Sequence, residues 1–261
     1  MDKINEQIYR IGDSEVTALV QSYNVLHYAN DLRRILSSVI PEKDFSTFTK
    51  FELHNFINQI LVKKFKGENG LKAKLVEMFI EKKVTAAFEI KVNNSRVDFL
   101  KVNGDTVSYE IKSKIDSLIK LTKQVGDYEK VFEYNYIVID EIHLQQASDL
   151  IPKHYGIYVL EKEKLVRKKV AIMNCNIEPL SQLKLFTKKE LEQHYKNVEP
   201  MIMKIEKQFS SMEINESFKT MLKKRYEKRW EFLRQNINDI LPIDYQFFFQ
   251  HNISPKVIYE T

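Results

Sequence analysis

The chain has 261 residues, 43% of them hydrophobic and 30% charged, with a formal net charge of +5. That length buries a sizeable core as one large domain or two small ones, while apolar runs such as Tyr136 to Ile139 are too short to span a membrane. The single cysteine, Cys175, excludes an internal disulfide and a cysteine-rich zinc cluster, and the opening MDKINEQIYRIGD lacks the cationic-then-apolar layout of a signal peptide. A cytoplasmic protein is expected, and the basic balance leans toward a polyanionic partner.

Residues 1–69 read as a helical N-terminal cap. Asp13-Ser14-Glu15 starts a helix with apolar positions at Val16, Leu19 and Val20; a second carries Leu32, Ile35 and Leu36 and stops before Pro41. A third holds Leu53, Phe56, Ile57 and Ile60. His27 and His54 fall at helical positions without metal-ligand spacing, so they read as ordinary surface or core histidines.

Residues 70–186 change character. A helix with Leu71, Leu75, Met78 and Phe79 on one face leads to a strand at Val84–Val92. Asn93-Asn94 turns into a second strand, and Asn103-Gly104 is a tight polar turn into a third. After Lys112, a short loop at Ser113–Asp116 precedes a helix with Leu118, Ile119, Leu121, Val125, Tyr128 and Val131. Tyr134–Asp140 is a continuous apolar strand of the kind buried on both faces, His143–Leu150 a short helix, and Tyr155–Leu160 another buried strand. Leu165–Ile172 predicts an extra strand or a hairpin. The order describes an α/β fold with a mixed sheet.

Residues 187–261 return to helix as a C-terminal segment. Phe186-Thr187 offers a cap, and helical spacing follows in Lys188–Tyr195 and Met201–Phe209. Phe218–Gln235 is the most basic helix; its Tyr226 and Trp230 either stack on nucleic acid or, the favoured reading, pack inward while the cations are solvated.

The strand pair joined at Asn103-Gly104 carries the chemistry. Alternation puts Arg96 and Asp98 on one face of the first strand and Ser108, Glu110 and Lys112 on one face of the second. If the strands pair, Asp98, Glu110 and Lys112 gather on a polar face: two carboxylates and a lysine on a rigid ribbon, as a magnesium-dependent phosphodiester-cleaving site requires. The plain alternative is a set of solvated cross-strand ion pairs. There is no GxxxxGK[ST], no HExxH and no nucleophile elbow.

With Asp98, then Glu110-Ile111-Lys112 on the next strand, the core resembles the PD-(D/E)XK, or restriction-endonuclease-like, nuclease superfamily and its αβββαβ core. RVDF, YEIKSKIDSLIKLTKQVGDYEKVF, YNYIVID and IPKHYGIYVL look like an uncharacterised bacterial and prophage-associated branch, over roughly residues 70–190. The resemblance implies a metal-dependent nuclease acting on nucleic acid, most simply DNA, with a setting in defence or mobile elements and a possible homodimer. It implies Mg²⁺ or Mn²⁺ on Asp98, Glu110 and the Ile111 carbonyl, with Lys112 assisting the attacking water. A helical acid is implied as well: Glu77 first, then Glu81, with Glu89 third. Gln124 and Tyr128 occupy the family's Gln and Tyr places, and Arg96, Lys114 and Tyr128 are expected to contact nucleic acid. No proline precedes Asp98, a departure from the family pattern. An inactive nucleic-acid-binding or protein-interaction module on the same fold is the alternative.

Overall fold

The computed structural model describes residues 8–65, 67–196 and 202–260. The chain divides into two compact units: one joins the chain up to Ala73 with the segment from Phe232 onward, and the other runs from Lys74 to Glu231. These limits differ from the expected boundaries at 69/70 and 186/187, because the helices up to Glu231 pack on the α/β core and the last stretch joins the N-terminal helices. Met201 and the first seven residues lie outside the described residues.

In the helical unit, α1 (Asp13–Ser22), α2 (Ala29–Val39) and α3 (Lys50–Lys64) pack around Leu19, Leu32, Leu36, Leu53, Ile57 and Ile60. A capping box starts α3: Thr49 Oγ1 accepts from the Glu52 amide, and the Glu52 carboxylate accepts from the Thr49 amide at 2.7 Å. From the other end of the chain come α11 (Tyr245–His251) and α12 (Pro255–Tyr259). The two ends meet at a buried polar cluster. Tyr23 Oη lies 2.9 Å from His54 Nδ1 and donates to the Asp244 carboxylate, which also accepts from Tyr259 Oη at 2.8 Å. His54 is thus a core histidine.

The second unit holds a six-stranded mixed sheet in the order β1 to β6: β1 (Thr85–Val92), β2 (Ser95–Asn103), β3 (Asp105–Lys112), β4 (Tyr134–Asp140), β5 (Gly156–Glu161) and β6 (Lys164–Lys169). β1, β2 and β3 form an antiparallel meander, β3, β4 and β5 run parallel, and β6 returns antiparallel. Gly104 holds a φ of +76° at the β2–β3 turn, a conformation open to glycine at no steric cost. The parallel steps are bridged by α5 (Leu121–Tyr128) and α6 (Leu144–Leu150), and α4 (Glu68–Phe79) precedes β1. α7 (Pro179–Leu183), α8 (Lys188–His194), α9 (Ile202–Gln208) and the 25-residue α10 (Ser211–Gln235) follow the sheet.

The sheet's two faces bury different chemistry. On one, Ile137, Ile139, Ile157 and Val159 pack under Leu121 and Val125 of α5 and Ala147 of α6. On the other, the cross-strand pair Phe99 and Tyr109 meets Phe79 of α4, and Trp230 of α10 stands edge-on to Phe99. Tyr226 and Trp230 are therefore buried, as the inward-packing reading requires. α10 is tied down through polar contacts too: Lys219 Nζ and Asn215 Nδ2 donate to the buried Glu133 carboxylate, whose other oxygen accepts from the Thr106 amide at 2.7 Å.

Candidate active site

The β2–β3 ladder runs from the Asn103–Asp105 turn to the pair Phe99–Tyr109 and stops there. The next positions along the hairpin are Asp98 on β2 and Glu110 on β3, so both carboxylates stand where the two strands cease to bond. Instead of a backbone carbonyl, the Ile111 amide finds Asp98 Oδ2, at 2.6 Å. Glu110 is 1% exposed, and both of its oxygens are engaged: Lys112 Nζ donates to Oε1 at 2.6 Å and Tyr128 Oη donates to Oε2 at 2.8 Å. Asp98, Glu110 and Lys112 share the face covered by α5, since Glu110 lies level with Ile137 in the parallel register and Ile137 packs under α5.

A third carboxylate completes the row. On β1 the pairs Phe88–Phe99 and Ile90–Val97 bracket Glu89, leaving it directly opposite Asp98. Glu89 has φ of 58°, the left-handed region, although it sits inside a strand. Such a backbone costs about 1–3 kcal/mol in a non-glycine residue and persists only where its surroundings hold it. Glu89 and Asp98 bring carboxylate oxygens within 4.8 Å of each other. The Arg96 guanidinium lies 3.6 Å from Glu89 Oε2 and is mostly solvent-exposed.

Tyr128 departs from its expected role. It is fully buried and its hydroxyl sits between Glu110 Oε2 and the Arg96 carbonyl at 2.7 Å, so it positions the site and does not present a surface to nucleic acid. Burial first, then the adjacent Glu110 carboxylate, raises the phenol well above its usual range and keeps it a donor. Gln124, one turn earlier on α5, is half-buried beside that hydroxyl. Its Oε1 is buried with no hydrogen-bond partner among the described residues.

The helical acid is also displaced. Glu77 is exposed, pairs with Lys74 at 3.2 Å, and lies on a helix whose Phe79 packs against Phe99 and Tyr109. That is the sheet face opposite Asp98 and Glu110, so Glu77 does not join them. Glu81 is exposed in the turn after α4. Helical periodicity shows which residues share a helix face but not which sheet face the helix covers. Lys114 is exposed in the loop after β3. Asp116 accepts from the Ser113 amide at 2.8 Å, closing that loop. Of Ile111, it is the amide that contacts a site carboxylate.

Residues 62–248 match the bacteriophage P4 protein cII family. The chain belongs to that family. This phage association agrees with the prophage-associated branch that the sequence resembles. No curated protein matches the chain. Among solved structures, SPO1766, a protein of unknown function from Silicibacter pomeroyi, is similar with 17% identity and a TM-score of 0.34, covering 44% of this chain and 77% of that one. Among the described residues, no helix is long and apolar enough to cross a membrane.

Proposed function

We propose that this cII-family protein is a metal-dependent nuclease of PD-(D/E)XK type, hydrolysing phosphodiester bonds in nucleic acid, with DNA as the first substrate to test. One observation carries the reading: the row Glu89, Asp98 and Glu110 crosses three adjacent strands at one level, with Lys112 beside it at the open end of the β2–β3 ladder. A purely structural sheet gains nothing from three neighbouring carboxylates, one of them on a strained backbone.

The donor set suits a hard divalent cation. Magnesium binds oxygen at about 2.0–2.1 Å, so two oxygens within 4.8 Å of one another are close to the span of a single ion. Asp98, Glu89 and Glu110 would hold Mg²⁺ or Mn²⁺, which supplies Lewis acidity to the phosphate and acidifies a bound water. Hydrolysis forms one P–O bond to water and breaks one P–O ester bond, the leaving oxygen ending protonated. Lys112 orients the attacking water and offsets negative charge growing on the phosphate. Tyr128 fixes Glu110, and Arg96 lies two residues from Asp98 for a phosphate contact.

A second reading has its own support. Lys112 and Glu110 form a tight buried pair, as a scaffold retaining the fold without turnover would also do. Cleavage of linear, circular and single-stranded DNA and of RNA, in Mg²⁺ and in Mn²⁺, separates the two when wild type is compared with Asp98→Ala and Lys112→Ala. Metal-dependent cutting lost in both variants supports the nuclease. Silence of the wild type with nucleic acid still bound supports the module.

A further inference from the structure

Lys112 is followed directly by a loop, 113–120, in which Leu118 is buried in the core while both isoleucines face solvent. Ile119 is 90% exposed and Ile115 is 66% exposed; Ile142, in the 3₁₀ turn Glu141–His143, is 60% exposed. The loop and the turn are joined, since His143 Nε2 donates to the Ser113 carbonyl at 3.0 Å. Between them lies a hollow of about 360 Å³, lined by Asp116, Leu118, Ile119, Thr122, His143 and Gln146. Three bulky aliphatic side chains in water, two of them in the loop that begins directly after the proposed catalytic lysine, forgo burial that would otherwise stabilise the fold.

Their neighbours name the occupant. Lys114 adjoins Ile115, Lys120 adjoins Ile119, and Lys123 follows on α5; all three lysines are exposed. The nearby acids Asp116 and Asp140 accept backbone amides within their own turns, from Ser113 at 2.8 Å and Ile142 at 3.2 Å, while Glu141 is exposed. A cation beside an exposed isoleucine, twice in one loop, matches a strand of phosphates alternating with apolar base faces. In an intact duplex those faces are stacked and out of reach; an unpaired strand presents them, and aliphatic wedges hold bases apart. A hollow of this size is in the range that receives a ligand ring, which fits an extruded base.

We propose that the 113–120 loop and Ile142 form an apolar wedge selecting unpaired nucleic acid, so that the substrate is a single strand or a locally opened duplex. The inference rests on the nuclease reading of the adjacent site for its substrate class, but it is tested by binding alone. Fluorescence anisotropy in EDTA compares a labelled single strand, a blunt duplex of the same sequence and a flapped duplex, using the full chain and an Ile115→Ser/Ile119→Ser variant. The single strand and the flap should bind about tenfold more tightly than the blunt duplex. The variant should lose that margin, with duplex affinity and Tm unchanged because both side chains are already in solvent.

Equal binding of the three ligands, a margin that survives in the variant, or no binding at all would overturn the wedge. If light scattering then shows a self-association of the wild type that the variant abolishes, the isoleucines cover a second copy of the chain. Cleavage assays on the same ligands keep the two ideas apart. Strand preference without cleavage leaves the wedge standing and removes the nuclease; cleavage without strand preference does the reverse.

Discussion

Glu89 and Asp98 face each other across β1 and β2, and the strained backbone belongs to Glu89. A strand prefers extended residues, and the left-handed turn at this one position disturbs neither flanking pair. If the strain serves metal binding, Glu89→Gln should weaken Mn²⁺ binding about tenfold or more by calorimetry and lower cleavage in parallel, while Glu77→Gln changes neither. A reversed order of effects would return the third ligand to the helix.

Replacing Glu89 by asparagine, which tolerates the left-handed region better, tests the same strain as stability. Stability read from urea titrations should rise by about 0.5–1 kcal/mol as cleavage falls. A drop in both would mean that the side chain, and not the backbone, holds this turn.

Tyr128 touches the site through another residue, so its removal should act as a positioning loss. Tyr128→Phe leaves Glu110 Oε2 without its 2.8 Å donor. Metal affinity and cleavage should fall about 10- to 100-fold, at a cost of about 1–2 kcal/mol in stability. A change in nucleic-acid affinity with metal affinity intact would instead restore the surface-contact role.

The helical unit makes a prediction about pH. Burial raises Asp244 to about 7, against accepted hydrogen bonds from Tyr259 and Tyr23, and burial, aided by Lys50, lowers His54 to about 4. The raised carboxyl contributes stability below its unfolded pKa that is lost as pH rises toward 7. The depressed imidazole contributes stability above its unfolded pKa that is lost as pH falls toward 4. Between about pH 4 and 6.5 the folded state carries a proton on Asp244 and the unfolded chain carries one on His54, so the two slopes cancel. Wild type should therefore be nearly flat across that window. Asp244→Asn should lose stability toward acid and His54→Gln toward neutral pH, each by about 1.4 kcal/mol per pH unit in denaturant titrations. Parallel profiles for both variants would contradict the assignment.

Inside the α/β unit, Glu133 is 2% exposed and, among the described residues, pairs with the Lys219 ammonium at 3.1 Å. Lys219→Ala should cost about 3–5 kcal/mol, far beyond a surface pair, because the carboxylate remains buried. Thermal unfolding would show it.

Much of the meander was legible because strands have period two and Asn-Gly turns sharply. Those rules alone place Asp98, Glu110 and Lys112 together. They do not single out Glu89, which the family resemblance ranks third and whose left-handed backbone has no local signal in Phe88-Glu89-Ile90. They also miss the burial of Tyr128, which depends on how α5 settles on the sheet. Glu77 misled for a related reason, since a surface glutamate on an amphipathic helix looks the same on either side of a sheet. In the Tyr23–His54–Asp244–Tyr259 cluster the hydrogen-bonded pair Tyr23 and Asp244 stands 221 residues apart, beyond any periodicity.

The helical unit is closed by the segment from Phe232 onward, with Asp244 and Tyr259 locking against Tyr23 and His54. During synthesis the first helices emerge with their inner face uncovered and wait while the whole α/β unit is made. They should become protected against proteolysis only after the α/β unit and the segment that closes them have been made. Arrest-peptide force profiles would read this order directly, as tension once the segment through Tyr259 has emerged and none near residue 100.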